Sequence, residues 1–126
     1  MDNYIQYDQC KTLEELEGKE DEVLYPSSLV IKCQQLRRKR LCEFTTEDLR
    51  IMIGQQLSLK CLVPMALEVL RYDILASGNY YAGDLLEVMV KVDESFWNSE
   101  PQYKEELVSL IQSQIKKLND ILGQLK

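Results

Sequence analysis

The sequence predicts an all-α protein, a single compact domain of about five to seven helices around a central apolar helix. Apolar residues recur every three to four positions through most of the 126 residues, which is the period of one helix face. Residues that cap helices stand where these patterns begin. No clean alternation at period two extends over five or more residues, apart from the short ambiguous runs VLY and VKV.

The first two helices are predicted from their N-terminal signals. Thr12 and Glu15 have the spacing of a capping box, which begins a short helix that ends near Gly18. A polar loop follows, and Pro26 and Ser27 then open a second helix. Its buried stripe is expected from three residues at helical spacing, Leu29, Cys33 and Leu36.

The third and fourth helices are predicted to build the centre of the fold. Thr45 is a good N-cap for the third helix, and Ser58 starts the fourth. Pro64 either lies in the first turn of a new helix or kinks a longer one, since proline has no N–H to donate inside a helix. Residues from Met65 to Leu70 are apolar on most sides, so we expect them at the centre of the core.

The last part of the chain is predicted as a turn region followed by three helical segments. Residues from Ala76 to Gly83 include glycines that tolerate positive φ, and Asp84 is expected to cap a fifth helix. A short extra turn covers Asp93 to Trp97, and the last helix runs from Pro101 to about Leu122. The apolar stripe of that helix contains Leu107, Leu110, Ile111, Ile115, Leu118, Ile121, Leu122 and Leu125.

The cysteine content indicates neither a metal site nor a disulfide framework. Four cysteines are scattered without a C-x-x-C pair, and the chain has no histidine. Zinc sites need convergent ligands of these types, and a cytoplasmic protein keeps its thiols reduced. We therefore expect no metal and no cofactor. One domain should cover residues 1–126, with residues 1–11 less ordered.

The net charge of −6 is concentrated at the N-terminal end. Residues 1–25 carry eight acidic and two basic side chains, while the rest of the chain is neutral. Such an end repels nucleic acid and attracts a basic protein. No segment approaches the roughly 18 to 20 apolar residues of a membrane span, and the acidic start lacks a secretory signal. We therefore expect a cytoplasmic protein without a membrane partner.

The residue types argue against an enzyme. Histidine, the commonest general base, is missing, and no nucleophile elbow, P-loop or dinucleotide motif occurs. A helical DNA-binding or regulatory interaction module is the alternative, because residues 37–40 form a dense basic run. The structural interpretation of that run is a helix C-terminus, where cations complement the dipole. A third hypothesis is an oligomerisation domain that uses the apolar stripe of the last helix.

Three segments together resemble a known family. FTTEDLRIMIGQQ precedes the proline-bearing run CLVPMALEVL, and GNYYAGDLL follows. In this order and spacing they are similar to the immunity proteins of bacterial contact-dependent growth inhibition (CDI) systems. The resemblance implies a cytoplasmic protein that binds and neutralises the C-terminal toxin domain of a cognate effector, and our first expectation for that toxin is a nuclease. One departure is Ala82, where the family pattern has proline.

The candidate toxin-binding residues are chosen for their chemistry, since contact surfaces vary with the toxin. Acids at the N-terminal end would attract a basic toxin, and aromatic side chains near the turns suit an interface. Each of these residues also has a structural interpretation, in which it lies on a solvated helix face, caps a helix or packs at the edge of the core. We expect a one-to-one heterodimer. The candidate set is Glu14, Glu17, Asp21, Glu22, Tyr80, Tyr81, Asp84, Glu87, Asp93, Glu94 and Trp97.

Overall fold

A computed structural model describes residues 8–21 and 23–126, and it confirms the all-α prediction. The described residues contain no strand and only two isolated bridges, Thr12 with Arg40 and Ser77 with Ala82. A 3-10 turn covers Leu41–Glu43. The helices are α1 (Leu13–Glu17), α2 (Ser28–Arg37), α3 (Thr46–Gly54), α4 (Leu59–Tyr72), α5 (Asp84–Val90), α6 (Glu94–Ser99) and α7 (Pro101–Gly123).

Helix α4 is the central element, as its apolar composition predicts. It packs against α3, α5 and α7, and seven of its side chains are buried. Pro64 lies inside this single helix, so the alternative in which it begins a new helix is wrong. The buried residues of α4 are Leu62, Val63, Pro64, Met65, Ala66, Leu67 and Leu70.

The predicted caps at the N-termini of the first three helices are confirmed. Thr12 and Glu15 form a capping box, and Thr45 forms a second one with Asp48. Ser27 accepts a hydrogen bond from the backbone N–H of Val30. These side chains satisfy N–H groups that no helical carbonyl reaches, which sets the starting points of the helices.

Helix α2 is less buried than its pattern predicts. Cys33 and Leu36 are buried, but Leu29 is 42% exposed, so its assignment to the buried stripe is wrong. Helical spacing places the three residues on one face without showing how far the neighbouring helix extends along that face. The sequence predicts that residues 1–11 are less ordered than the rest. Residues 1–7 lie outside the described part of the chain.

Helix α7 extends beyond the rest of the fold. Its bounds agree with the prediction, and Tyr103 and Leu107 are buried near its start. Leu110 and Ile111 pack partly against the core, whereas every residue from Ile115 onwards is exposed. Among the described residues, no helix is both long and apolar enough to cross a membrane.

Candidate protein-binding surface

Three charged side chains join α3 to the start of α5, and we call them the Arg50 cluster: Glu47, Arg50 and Asp84. Arg50 donates from Nε and Nη2 to the two carboxylate oxygens of Glu47, each at 2.6 Å. Its Nε also lies 3.9 Å from Oδ2 of Asp84, whose side chain is 3% exposed. A bidentate pair of this kind fixes both partners more firmly than a single-point contact would.

The two carboxylates of the cluster hold the backbone of the tyrosine loop, which we define as residues 77–83. Oδ1 of Asp84 accepts from the Gly78 N–H at 2.6 Å, and Oδ2 accepts from the Tyr80 N–H at 3.1 Å. Oε1 of Glu47 accepts from the Asn79 N–H at 2.9 Å. Three consecutive backbone donors of the loop, from Gly78 to Tyr80, are therefore satisfied by side chains from two different helices.

Asp84 has a different role from the predicted one. Gly83 occupies the N-cap position of α5, and Asp84 is the first residue of that helix. Its carboxylate turns back to the preceding loop instead of capping α5, so that prediction is wrong in detail. Burial acts to raise the pKa of Asp84, but the loop N–H donors and Arg50 outweigh it and lower the pKa.

Glycine is required at two positions of the loop. A Cβ on Gly78 would lie 2.5 Å from Oε1 of Glu47 and 3.1 Å from Oδ2 of Asp84. Gly83 has a φ of +91°, which L side chains rarely adopt, and its Cβ would meet Leu75 at 3.3 Å. The glycines of the segment GNYYAGD thus permit the close approach of carboxylates and backbone.

Two tyrosines project from this held backbone. The ring of Tyr80 lies over Arg50, 4.5 Å from the guanidinium carbon to the ring centroid, and the side chain is still 72% exposed. Tyr81 is 52% exposed, and its hydroxyl donates to Glu87. Glu87 also accepts from Lys91 at 3.2 Å, so the acid beside the tyrosines is held in place. The result is an ordered aromatic surface with an acidic edge.

The candidate residues around α6 divide between surface and core. Asp93 and Glu94 are exposed at the start of α6, and the Asp93 N–H donates to the Gln56 side chain at 3.0 Å. Trp97 is only 6% exposed and packs edge-on against Phe96, with ring centroids 5.5 Å apart. It supports this part of the fold and offers little surface to a partner.

The N-terminal acids pair with the basic run of residues 37–40. Nη1 of Arg37 lies 2.7 Å from Oε1 of Glu17, and its Nη2 donates to the Gly18 carbonyl at 2.7 Å. Arg38 pairs with Glu14 at 3.3 Å. Two candidate acids are therefore engaged within the chain. Asp21 is exposed, and Glu22 lies outside the described residues.

The rest of the basic run is paired as well. Lys39 lies 2.6 Å from Asp48, and Arg40 lies 3.0 Å from Glu43. Each of the four cations thus has a carboxylate partner in the chain, with Arg37 the most buried. A phosphate backbone would have to displace these carboxylates, at little cost for the exposed Arg38 and Arg40 and at a larger cost for the buried Arg37. The ion pairs give the run a structural role within the chain.

Sequence reasoning missed two residues that organise the surface, Glu47 and Arg50. Their i,i+3 spacing on α3 places both side chains on one helix face, and this spacing can be recognised in the sequence as an ion pair. Nothing in the sequence showed that this face meets the tyrosine loop. The described residues contain no group of three or more His, Cys, Asp or Glu side chains that could hold a metal ion.

Fold and surface together define a small helical protein that presents an ordered aromatic and acidic loop on a rigid support. A family model described as CDI immunity proteins matches residues 13–107. The chain therefore belongs to the family of CDI immunity proteins, which protect against CDI toxins. The match spans α1 to the first third of α7 and includes the Arg50 cluster. Neither the curated proteins nor the solved structures gave a match.

Proposed function

We propose that the protein neutralises the toxin domain of its cognate CDI effector by binding it in the cytoplasm as a one-to-one complex, without chemistry of its own. Membership of the immunity family supports the toxin as partner. The observation that carries the proposal furthest is the tyrosine loop, in which two exposed aromatic side chains stand on a backbone held by Glu47 and Asp84.

An ordered loop suits tight binding because little conformational entropy remains to be lost on association. Tyrosine adds large contact area with few rotatable bonds, and it is frequent among residues that dominate binding energy. Protection at low cellular concentration needs roughly nanomolar affinity, about −12 kcal/mol. An interface of about 1,600 Å² is the usual size for such a complex, so residues beyond the loop must also contribute.

The charge of the chain supports a basic toxin, and a nuclease is our first candidate. The net charge is −6, and Glu87, Asp93, Glu94 and Asp21 are all exposed acids. A nuclease carries cations for its phosphate substrate, and an acidic protein can cover them. In this proposal inhibition follows from covering or distorting the active site of the toxin.

The experiment is co-expression with the toxin domain encoded beside this gene. The wild-type protein should restore growth, and the double variant Tyr80→Ala/Tyr81→Ala should weaken binding at least about 100-fold and lose protection. Tyr72→Ala is the matched control, because Tyr72 is 90% exposed and lies outside the loop. Growth arrest in the presence of soluble wild-type protein would refute the immunity function. Full protection by the double variant would exclude the tyrosine loop from the toxin interface and leave the immunity function intact.

The nature of the toxin is tested separately. Purified toxin domain should degrade RNA or DNA, and stoichiometric addition of this protein should stop the degradation. A toxin without nuclease activity that is nevertheless neutralised would leave the immunity function intact and overturn the assignment of the substrate.

A further inference from the structure

The second half of α7 is largely exposed. Tyr103 and Leu107 are buried, but all residues from Ile115 to Lys126 are exposed. At 1.5 Å per residue, the exposed part of the helix up to Gly123 is roughly 13 Å long. Several of its exposed side chains are nevertheless large and aliphatic, with Leu118 63% exposed and Leu122 47% exposed.

The aliphatic residues of this segment form a regular pattern, which we call the C-terminal stripe. They are spaced alternately by three and four residues, which is the a and d spacing of a coiled coil. Five of them lie in α7, and the last lies in the turn that follows the helix. The stripe consists of Val108, Ile111, Ile115, Leu118, Leu122 and Leu125.

The residue types favour pairing with an identical helix. Two of the three a positions are β-branched, Val108 and Ile115, and two of the three d positions are leucine, Leu118 and Leu125, which is the combination that favours two strands. Leu122 at a and Ile111 at d depart from it. The positions that flank the stripe from 112 to 121 are Gln112, Gln114, Asn119 and Ile121, none of them charged. Along this part of the stripe two copies can therefore approach without like-charge repulsion, and the one flanking charge beyond it is Lys126 beside Leu125.

The charged residues of the segment lie away from the stripe. Lys116, Lys117 and Asp120 occupy the outer positions of the heptad, where they stay in water if two helices pair. A helix with one apolar face, uncharged flanking positions and charged residues on the opposite side can pack against an identical helix. A two-fold symmetric contact uses the same patch on both copies.

The stripe is also separate from the part of the chain that defines the family. The family match ends at residue 107, one position before Val108, and Leu107 is the last buried residue of the core. Beyond it only Leu110 and Ile111 pack partly against the core. The exposed aliphatic side chains are therefore not needed to complete the immunity fold.

We propose that the C-terminal stripe pairs with the stripe of a second copy of this chain to form a homodimer. Pairing the two stripes and the stems of their neighbours buries on the order of 1,000 Å² in total, which is near the lower limit for a specific interface. We expect a dissociation constant in the micromolar range, because contacts at this lower limit are mostly weak and transient. Dimerisation leaves the tyrosine loop, on residues 77–83, available for the toxin.

The test is sedimentation equilibrium of the full chain from about 1 to 300 µM, a range that brackets micromolar affinity. The wild-type protein should pass from the 14.7 kDa monomer to a particle of twice that mass. The variant Ile115→Glu/Leu122→Glu should remain monomeric, with the dissociation constant raised at least about 100-fold. Both residues are exposed, so the variant should keep the circular dichroism and unfolding midpoint of the wild-type monomer.

The matched control is Ser113→Glu/Gln124→Glu, which adds the same charge to α7 and to the turn directly after it, at positions outside the stripe. It should dimerise like the wild-type protein. A wild-type monomer throughout the range, or equal dimerisation of the two variants, would overturn the proposal. Monomeric protein that binds anionic phospholipid vesicles only through an intact stripe would overturn it in favour of a membrane surface. Growth protection reports the immunity function separately, because the toxin assay does not require the dimer.

Discussion

The guanidinium carbon of Arg50 lies 4.5 Å from the centroid of the Tyr80 ring, while the same side chain donates two hydrogen bonds to Glu47. One residue of α3 therefore orders both an acid that holds the tyrosine loop and an aromatic ring that the loop presents. A cation–π contact at such an exposed position contributes about 0.5 to 1 kcal/mol. The loop is accordingly ordered mainly by the carboxylates, and Arg50 positions them.

Replacing Gly78 should destabilise the fold. In Gly78→Ala the new Cβ would meet carboxylate oxygens of Glu47 and Asp84, so the loop must move away from its hydrogen-bond acceptors. We expect a loss of about 1 to 3 kcal/mol in the free energy of unfolding, measured by urea denaturation. Gly54→Ala is the control, because its Cβ would be 3.5 Å from Val88, an ordinary contact, and alanine favours the helix. Equal stability of Gly78→Ala and the wild-type protein would contradict this account of the loop.

The stability of the protein should fall in acid through the Arg50 cluster. Hydrogen bonding to Arg50 lowers the pKa of Glu47 below its ordinary 4.5, and the loop donors lower that of Asp84 below 3.8 against the effect of burial. Because the unfolded chain then binds more protons than the folded chain, the stabilisation is complete above about pH 5 and is lost as the pH falls through the folded pKa values.

The measurement is the urea midpoint between pH 7 and pH 3 for the wild-type protein and for Glu47→Gln/Asp84→Asn. The double variant should be less stable at neutral pH and should show a shallower decline in acid. A decline of the same slope in both proteins would assign the acid sensitivity to other carboxylates, of which Asp48 and Glu43 also have lowered pKa values.

Removal of Arg37 should destabilise the packing of the N-terminal segment. Its side chain is 9% exposed and joins α2 to Glu17 and to the Gly18 carbonyl. Arg37→Ala removes the cation beside Glu17 and the donor to the Gly18 carbonyl, although Glu17 keeps the Ser58 hydroxyl as a donor at 2.8 Å. We expect a loss of about 1 to 3 kcal/mol in the free energy of unfolding. Arg38→Ala is the control, since its side chain is 71% exposed and an exposed pair with Glu14 contributes at most about 1 kcal/mol. If the two substitutions lowered the free energy of unfolding by similar amounts, the burial of Arg37 would not explain its contribution to stability.

Charge reversal at Asp21 should slow association with a basic toxin. Asp21 is exposed and has no ion-pair partner among the described residues, whereas Glu17 is engaged with Arg37. Asp21→Lys should lower the association rate constant a few-fold at low salt and flatten its salt dependence. Stopped-flow mixing with the toxin domain at several salt concentrations is the measurement. An unchanged rate would show that Asp21 does not steer the association.

Local patterns in the sequence were sufficient to predict the helices and the residues at which they begin. Thr12, Ser27 and Thr45 cap as predicted, because capping depends on residues within one turn. The central position of α4 also followed from composition, since a helix that is apolar on most sides has to be buried. The extent of burial was harder to predict, as Leu29 and the end of α7 show, because it depends on where the neighbouring helices stop.

The sequence by itself determined the all-α fold, the central helix and the resemblance to an immunity family, because helix period, caps and motif order are local properties of the chain. Tertiary structure alone decided which charges are available to a partner. It brought Arg37 to Glu17 and Arg38 to Glu14, so that acids expected to face a toxin are paired within the chain. It also brought Glu47 and Asp84, 37 residues apart, to one loop. Hydrogen bonds between distant residues depend on how helices pack, and no local pattern specifies that packing.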